Sequence, residues 1–205
     1  MGRVTNTFLA INIVAFIIQI QYQPFTALFM LQSSDVLTRP WILLTSTFLH
    51  GSTMHLLFNM FILFFFGPLI EARLGSKRFI VFYLLTGIFA SLIASFFYEA
   101  ALGASGALMG VLGVTAMLAP NMQVLLWGVV PMRLKHLIVL IVLTDIFFTF
   151  SASNIATFAH FAGLSAGLAY GYTLREEQKR VHKLFEQRTE MSKEDLEEYM
   201  RNGRL

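Results

Sequence analysis

Six apolar runs divide this chain, and most are long enough to cross a membrane as helices. They lie near residues 7–22, 54–70, 79–98, 104–119, 136–150 and 157–174. A helix needs about 20 apolar residues to span roughly 30 Å of hydrocarbon, so the fourth and fifth runs are short. With 56% hydrophobic and only 13% charged residues, the chain is too apolar for an ordinary soluble domain. We therefore predict an all-α polytopic membrane protein with six transmembrane helices.

Two connections between these runs are themselves partly apolar. Residues 23–52 form a long outer loop whose apolar pieces, 25–31 and 41–44, indicate an interfacial or partly embedded segment. The stretch 124–132 is apolar but too short to span, so we expect it at an interface or re-entering the membrane.

The positions of the cations predict the orientation. If the N-terminus is inside, every Lys and Arg except Arg39 falls on the cytoplasmic side, as the positive-inside rule requires. This favours a multi-pass protein of the cell membrane with both termini cytoplasmic. No small-residue cleavage pattern follows the first run, which we interpret as a permanent span.

Charge also divides the chain into two predicted parts. Residues 1–174 form the membrane domain, and residues 175–205 form a cytoplasmic, highly charged helical tail. Within the tail, Ser192 resembles a helix cap and predicts a second short helix, Lys193 to Met200. The chain has no cysteine, which excludes disulfides and thiol catalysis.

Polar residues cluster at one predicted depth. In this topology the second, fourth and sixth runs all pass from outside to inside, so their first turns lie at similar levels. His55 and Asn59 share a face of the second run, Ser105 opens the fourth, and His160 lies in the first turn of the sixth. At 1.5 Å per residue, these side chains should lie within roughly 10 Å of the outer boundary.

Glycines predict that the fourth and sixth helices touch. Their small faces comprise Gly106, Gly110, Gly113, Gly163, Gly167 and Gly171. Such faces let helix backbones approach closely inside a membrane. Ser105 stands at the outer end of one face and His160 at the outer end of the other, so close packing would bring them together.

A serine next to an imidazole base is the arrangement that acyl-transfer chemistry needs. His160 can remove the proton of Ser105, since a neutral imidazole suits a general base near pH 7. The resulting oxyanion needs donors, which Asn59, His55 and the backbone N–H of Ser105 can supply.

Small residues precede the serine, and a further histidine lies before the second run. Gly103 and Ala104 would let a substrate backbone approach the turn that carries Ser105. His50 is better interpreted as an anchor for the outer loop.

Each candidate also has a structural interpretation. A serine in a membrane helix commonly bonds to its own backbone, and a lone His or Asn can simply join two helices. We interpret Asp145, the only acid deep in a run, as protonated or hydrogen-bonded to a neighbouring helix, and a link to His160 stays open. It is the coincidence of four polar residues at one depth that favours a site.

Several segments resemble the rhomboid intramembrane serine proteases. They occur in the family's order and are His50 to Asn59, Glu71 to Ser76, Gly103 to Gly106 and Ala159 to Gly163. The resemblance as a whole covers roughly residues 5–175. The Gly103 to Gly106 motif is weak by itself, whereas the joint pattern is highly specific.

The resemblance implies a function and a site. Ser105 and His160 would form a catalytic dyad without a third acidic member, and His55, Asn59 and the Ser105 amide would form the oxyanion hole. The substrates would be transmembrane segments of other proteins, cut near the outer face at small residues. The fifth helix and the loop 151–156 would act as gate and cap.

Two positions depart from the family pattern. Met109 stands where relatives often carry an aromatic residue that supports the histidine ring, although methionine can also pack against a ring. Ile42 follows Trp41 where relatives often have arginine, so the outer loop could sit differently among the headgroups.

Other functions fit the residues less well. An aspartyl protease needs two embedded carboxylates, and a metalloprotease needs a set such as His-Glu-x-x-His, which His50 and His55 do not provide. A transporter would place its polar groups at mid-membrane. A catalytically inactive relative that binds transmembrane clients is the main alternative.

We expect the lipid bilayer and transmembrane substrates as partners, with no cofactor, metal or nucleic acid.

Overall fold

The computed structural model describes residues 2–126, 129–149, 156–187 and 193–202 of the chain. Most of them are helical. The helices are α1 (Arg3–Gln21), α2 (Gln23–Phe29), α3 (Ile42–Thr45), α4 (Thr53–Leu74), α5 (Ser76–Ala94), α6 (Ser105–Leu118), α7 (Leu134–Thr149), α8 (Thr157–Gln187) and α9 (Lys193–Asn202). Each of the six predicted apolar runs overlaps a separate helix, namely α1, α4, α5, α6, α7 or α8.

Three of these helices, α1, α4 and α5, are long and apolar enough to cross a membrane, and α6 is a shorter apolar helix. Their outward faces carry large hydrophobic side chains such as Val14, Phe61 and Val81, each more than half exposed. An apolar exterior of this kind suits contact with lipid rather than water. The structure thus confirms a mostly helical protein and gives three candidate membrane spans among the described residues, and the count of six spans stays a prediction.

Helix α6 forms the centre of the molecule. Every residue from Gly106 to Thr115 is buried, and the helix packs against α4, α5, α7 and α8. A helix that is apolar and buried on all sides belongs to the interior of a bundle. The residue that opens this helix, Ser105, is consequently held by its neighbours on several sides.

The predicted contact between the two glycine faces is confirmed. A Cβ atom at Gly163 would lie 1.9 Å from the carbonyl oxygen of Gly106, and one at Gly167 would lie 2.1 Å from that of Gly110. No side chain fits between the helices at these points, so the backbones of α6 and α8 touch directly. In a membrane, where packing drives association, this contact fixes the relative position of the two helices.

Helix α1 begins earlier than its apolar run predicts, at Arg3 rather than near residue 7. The reason is a tertiary cap from α4. The carboxylate of Glu71 accepts hydrogen bonds from the backbone N–H groups of Val4 and Thr5, and from the hydroxyls of Thr5 and Ser76. Free N–H groups at a helix start need such acceptors. Glu71 therefore joins α1 to the turn between α4 and α5.

The prediction of a wholly helical chain needs one correction. Two short antiparallel strand pairs are present, β1 (Leu31–Gln32) with β2 (Ala100–Ala101) and β3 (Gln123–Leu126) with β4 (Val130–Arg133). The second pair occupies the apolar stretch predicted at an interface. Strand pairing satisfies the backbone groups of connections that are too irregular for helices.

The outer loop folds onto the bundle through its two predicted apolar pieces, which form α2 and α3. Ile42, at the start of α3, is fully buried and belongs to a small core with Leu31, Ala90 and Ala94. The Thr45 hydroxyl donates to the Phe29 carbonyl and so links α3 to α2. Ile42 therefore anchors this loop by burial.

The C-terminal tail continues the last long helix. Helix α8 runs unbroken through residues 174 and 175, so the predicted domain boundary is not marked by a break in structure. The predicted second short helix is present as α9, while Ser192, its proposed cap, lies outside the described residues. A side-chain nitrogen of Arg73 donates to the Met200 carbonyl, joining α9 to the end of α4. The division into two domains stays a prediction.

We predict that Gly163→Ala destabilises the protein, because the added methyl group would overlap the Gly106 carbonyl. Overpacking of this kind costs about 2 kcal/mol of unfolding free energy. The measurement is denaturant-induced unfolding in detergent micelles. Ser165→Ala, on the exposed side of the same helix, is the control and should change stability little. Equal stabilities of the two variants would contradict a tight contact between α6 and α8.

Candidate active site

Ser105 and His160 are brought together at the first turns of α6 and α8. Ser105 is the first residue of its helix, and His160 lies in the first turn after Thr157. The Nε2 atom of His160 is 2.8 Å from the Ser105 Oγ atom, a normal hydrogen-bond distance. The two residues are 55 positions apart in sequence, and the glycine contact between their helices explains why they meet.

An acidic side chain completes a chain of hydrogen bonds. The Oδ2 atom of Asp145 on α7 lies 2.8 Å from the Nδ1 atom of His160. Asp145 is therefore bonded to a neighbouring helix, as its structural interpretation predicts, and its partner is the histidine of the site. The structure thus shows the link to His160 that the sequence left open, while the catalytic membership of Asp145 is not decided by this contact.

His55 lies against the turn that precedes Ser105. Ser52 caps α4 by accepting a hydrogen bond from the His55 N–H, which sets His55 in the first turn of that helix. Gly103 has φ of +133°, and a Cβ atom there would lie 2.7 Å from Cε1 of His55. Only glycine combines this backbone conformation with this close approach. The structure thus places His55 against the turn before Ser105, and its role in an oxyanion hole stays a prediction.

Asn59 lies one helical turn after His55 on the same helix. It is 3% exposed, and its Nδ2 atom has no hydrogen-bond partner among the described residues. Leaving a buried donor unpaired costs about 1 to 3 kcal/mol, so folded proteins rarely do so without a reason. Within the described part of the chain, the structure therefore leaves this amide donor unsatisfied, as it also leaves buried polar atoms of Asn12, His50 and Tyr83.

His50 is buried beside His55 and anchored through its backbone. The Gln19 side chain of α1 accepts a hydrogen bond from the His50 N–H and donates one to its carbonyl. The rings of His50 and His55 meet edge to face, with centroids 5.1 Å apart. Burial lowers the pKa of His50 to about 3, with a smaller contribution from His55, so its ring is neutral near pH 7. This geometry supports the interpretation of His50 as an anchor of the outer loop.

A small cavity adjoins the serine. Its walls are formed mainly by residues with little or no side chain, including Gly87, Ala90, Ala94, Gly103, Gly106 and Ala159. Ser46, in the outer loop, also lines it, and its carbonyl accepts a hydrogen bond from the Gly103 N–H. The loop therefore helps to shape the turn next to Ser105.

Gln19 and Ser46 were not predicted from the sequence, and Asp145 was predicted only as a structural residue whose link to His160 stayed open. Gln19 and Asp145 carried a signal, since both are polar residues within apolar runs, but nothing in the spacing identified their partners. Ser46 carried no sequence signal, because it acts through its backbone carbonyl. Residues 151–155 of the predicted cap lie outside the described residues. Met109, which departs from the family pattern, is buried in the main core at 4% exposure.

The Rhomboid domain family model matches residues 37–177, which is more than half of the chain and includes every residue placed in the site above except Gln19. The chain belongs to the rhomboid family. As a rhomboid-family protein with several apolar helices, it is embedded in a membrane.

Three curated relatives illustrate the similarity. The rhomboid protease GluP of Bacillus subtilis is 36% identical over 129 residues, covering 62% of this chain and 24% of GluP. RHOMBOID-like protein 1 of Arabidopsis thaliana is 33% identical, covering 64% of this chain and 34% of that protein. Rhomboid-like protease 3 of Toxoplasma gondii is 31% identical, covering 63% of this chain and 49% of that protein. This rhomboid chain thus matches between about a quarter and a half of these relatives' length.

Proposed function

We propose that this protein is an intramembrane serine protease that hydrolyses peptide bonds in or near transmembrane segments of other proteins. The observation that carries this proposal is the 2.8 Å contact between His160 Nε2 and Ser105 Oγ inside a membrane-embedded bundle. Family membership and the similarity to named rhomboid proteases support it.

In the proposed reaction Ser105 is the nucleophile and His160 is the general base. As the serine oxygen attacks the carbonyl carbon of the substrate, its proton passes to Nε2 of the histidine. The same proton then goes to the leaving amine as the peptide C–N bond breaks. Water, deprotonated by His160, afterwards hydrolyses the acyl ester and regenerates the Ser105 hydroxyl.

The oxyanion of the tetrahedral intermediate is assigned three donors, namely the Asn59 amide, a ring nitrogen of His55 and the backbone N–H of Ser105. The unpartnered Nδ2 of Asn59 supports its assignment. The first N–H groups of a helix have no acceptor within the helix, and the helix dipole favours negative charge there, which supports the third donor. Gly103 and Ala104 leave room for the substrate backbone.

We further propose that the bond cleaved follows a small side chain. The cavity beside Ser105 supports this, because glycine and alanine residues form most of its walls. A large side chain would overlap them unless the helices moved. Transmembrane segments that unwind locally and offer a small residue at the serine are the expected substrates.

The proposed topology has six spans, formed by α1, α4, α5, α6, α7 and α8, with both termini in the cytoplasm. The distribution of Lys and Arg supports it. The site then opens near the outer face of the cell membrane, residues 1–174 are the membrane domain, and residues 175–205 are the cytoplasmic tail. Helix α7 and the loop 151–156 are the proposed gate and cap.

We predict that Ser105→Ala abolishes cleavage of a model transmembrane substrate by the purified protein in liposomes, because no other group is assigned as nucleophile. The measurement is product formation on a gel, with the cut site mapped by mass spectrometry. Ser95→Ala is the matched control, since that hydroxyl donates to the Leu92 carbonyl of its own helix, and it should retain wild-type activity.

Two results would contradict the proposal in different ways. Cleavage that persists in the Ser105→Ala variant would exclude this serine as the nucleophile. A folded wild-type protein that binds transmembrane segments without cutting any of them would favour the alternative of an inactive, client-binding relative.

We also predict that Asn59→Ala lowers kcat by about 100-fold with a smaller change in KM, because the amide is proposed to act only once the oxyanion forms. Thr115→Val is the control, since Thr115 is equally buried but bonds to the Val111 carbonyl of its own helix. An unchanged kcat in the Asn59 variant would remove this residue from the oxyanion hole.

A further inference from the structure

Asp145 lies where it can determine the state of the proposed base. Its Oδ2 atom is 2.8 Å from His160 Nδ1, while the opposite ring nitrogen, Nε2, is 2.8 Å from Ser105 Oγ. Asp145 belongs to α7, His160 to α8 and Ser105 to α6. Their side chains thus form a continuous relay of hydrogen bonds from a carboxylate to a hydroxyl.

Both members of the carboxylate and imidazole contact are shielded from solvent. The Asp145 side chain is 7% exposed and that of His160 is 16% exposed. An ionised carboxylate is costly in such a place unless it is paired and hydrogen-bonded. The imidazole provides that pairing, and the low local dielectric strengthens it.

The carboxylate also selects one form of the imidazole. A neutral histidine carries its proton on either Nδ1 or Nε2, and a carboxylate oxygen at Nδ1 favours the form protonated there. The lone pair of Nε2 then faces Ser105, as a base requires. When Nε2 takes up the serine proton, the imidazolium is stabilised by the carboxylate on its other side.

The backbone of Asp145 also links α7 to α8 at this level. The backbone carbonyl of Asp145 already accepts a hydrogen bond from the hydroxyl of Thr157, so α7 and α8 are joined at this level without the side chain. Its side chain reaches the ring nitrogen opposite the serine.

We propose that Asp145 is a positioning residue that holds His160 in the tautomer protonated on Nδ1 and stabilises the imidazolium formed during catalysis. The proposal rests on the proposed function of Ser105 and His160. It adds a third member to their pair and assigns it to helix α7.

The kinetic test uses the full chain in liposomes with a model transmembrane substrate. Asp145→Asn keeps the size but lacks the charge, and its amide can donate to Nδ1 and favour the wrong tautomer. We expect kcat to fall by at least about 100-fold, while KM changes by less than about threefold. Asp145→Glu, which restores the carboxylate, should recover part of the rate. Thr144→Val, one position earlier on α7, is the control, since that hydroxyl bonds within its own helix.

A second measurement works on the wild-type protein and so does not depend on how the variants fold. Histidine labelled with ¹⁵N reports which ring nitrogen carries the proton, and the His160 signal is identified by its loss in His160→Ala. At mildly alkaline pH we expect His160 to be protonated on Nδ1 in the wild type. A His160 ring protonated on Nε2 would overturn the proposal.

The outcomes also separate this proposal from the proposed function. Wild-type cleavage that requires Ser105 but is unchanged in Asp145→Asn would overturn the role of Asp145 alone. Wild-type cleavage that survives Ser105→Ala would overturn the proposed function, and the role of Asp145 with it.

Discussion

The direct contact between the backbones of α6 and α8 is the constraint on which the site depends. Their glycine faces meet so closely that no Cβ atom fits at Gly163 or Gly167. Ser105 and His160 stand at the same end of this contact, so the hydrogen bond between them follows from how the helices pack. A substitution that separated the helices would therefore disturb the pair without touching either residue.

The surroundings of α6 explain how polar groups are kept in so apolar a molecule. The helix is buried on every side from Gly106 to Thr115, while the outer helices turn large hydrophobic residues outward. Polar side chains gather at one end of this core and are mostly satisfied by one another. Asn59 is one exception, because its Nδ2 has no partner within the described residues, and both ring nitrogens of His50 are another. In the proposed reaction, the oxyanion supplies the acceptor that Nδ2 of Asn59 lacks.

Much of the fold could be predicted because lipid imposes simple rules on length and polarity. Apolar run lengths located the helices, and glycine spacing predicted that the fourth and sixth would touch. Ser105 and His160 followed, since each opens one of those faces. The cap that Glu71 gives to α1 and the pairing of β3 with β4 were missed, and the contact of Asp145 with His160 was left open. Each depends on a tertiary distance between segments that no local pattern connects.

The most direct test of the account is to identify the serine that becomes reactive in the folded protein. A serine-directed fluorophosphonate is added to the wild-type protein in liposomes, and the modified residue is located by peptide mass spectrometry. We predict a phosphonyl adduct on Ser105 that is lost in His160→Ala, because the imidazole activates this hydroxyl. An adduct on another serine, or an unmodified Ser105 in a preparation that cleaves substrate, would contradict it.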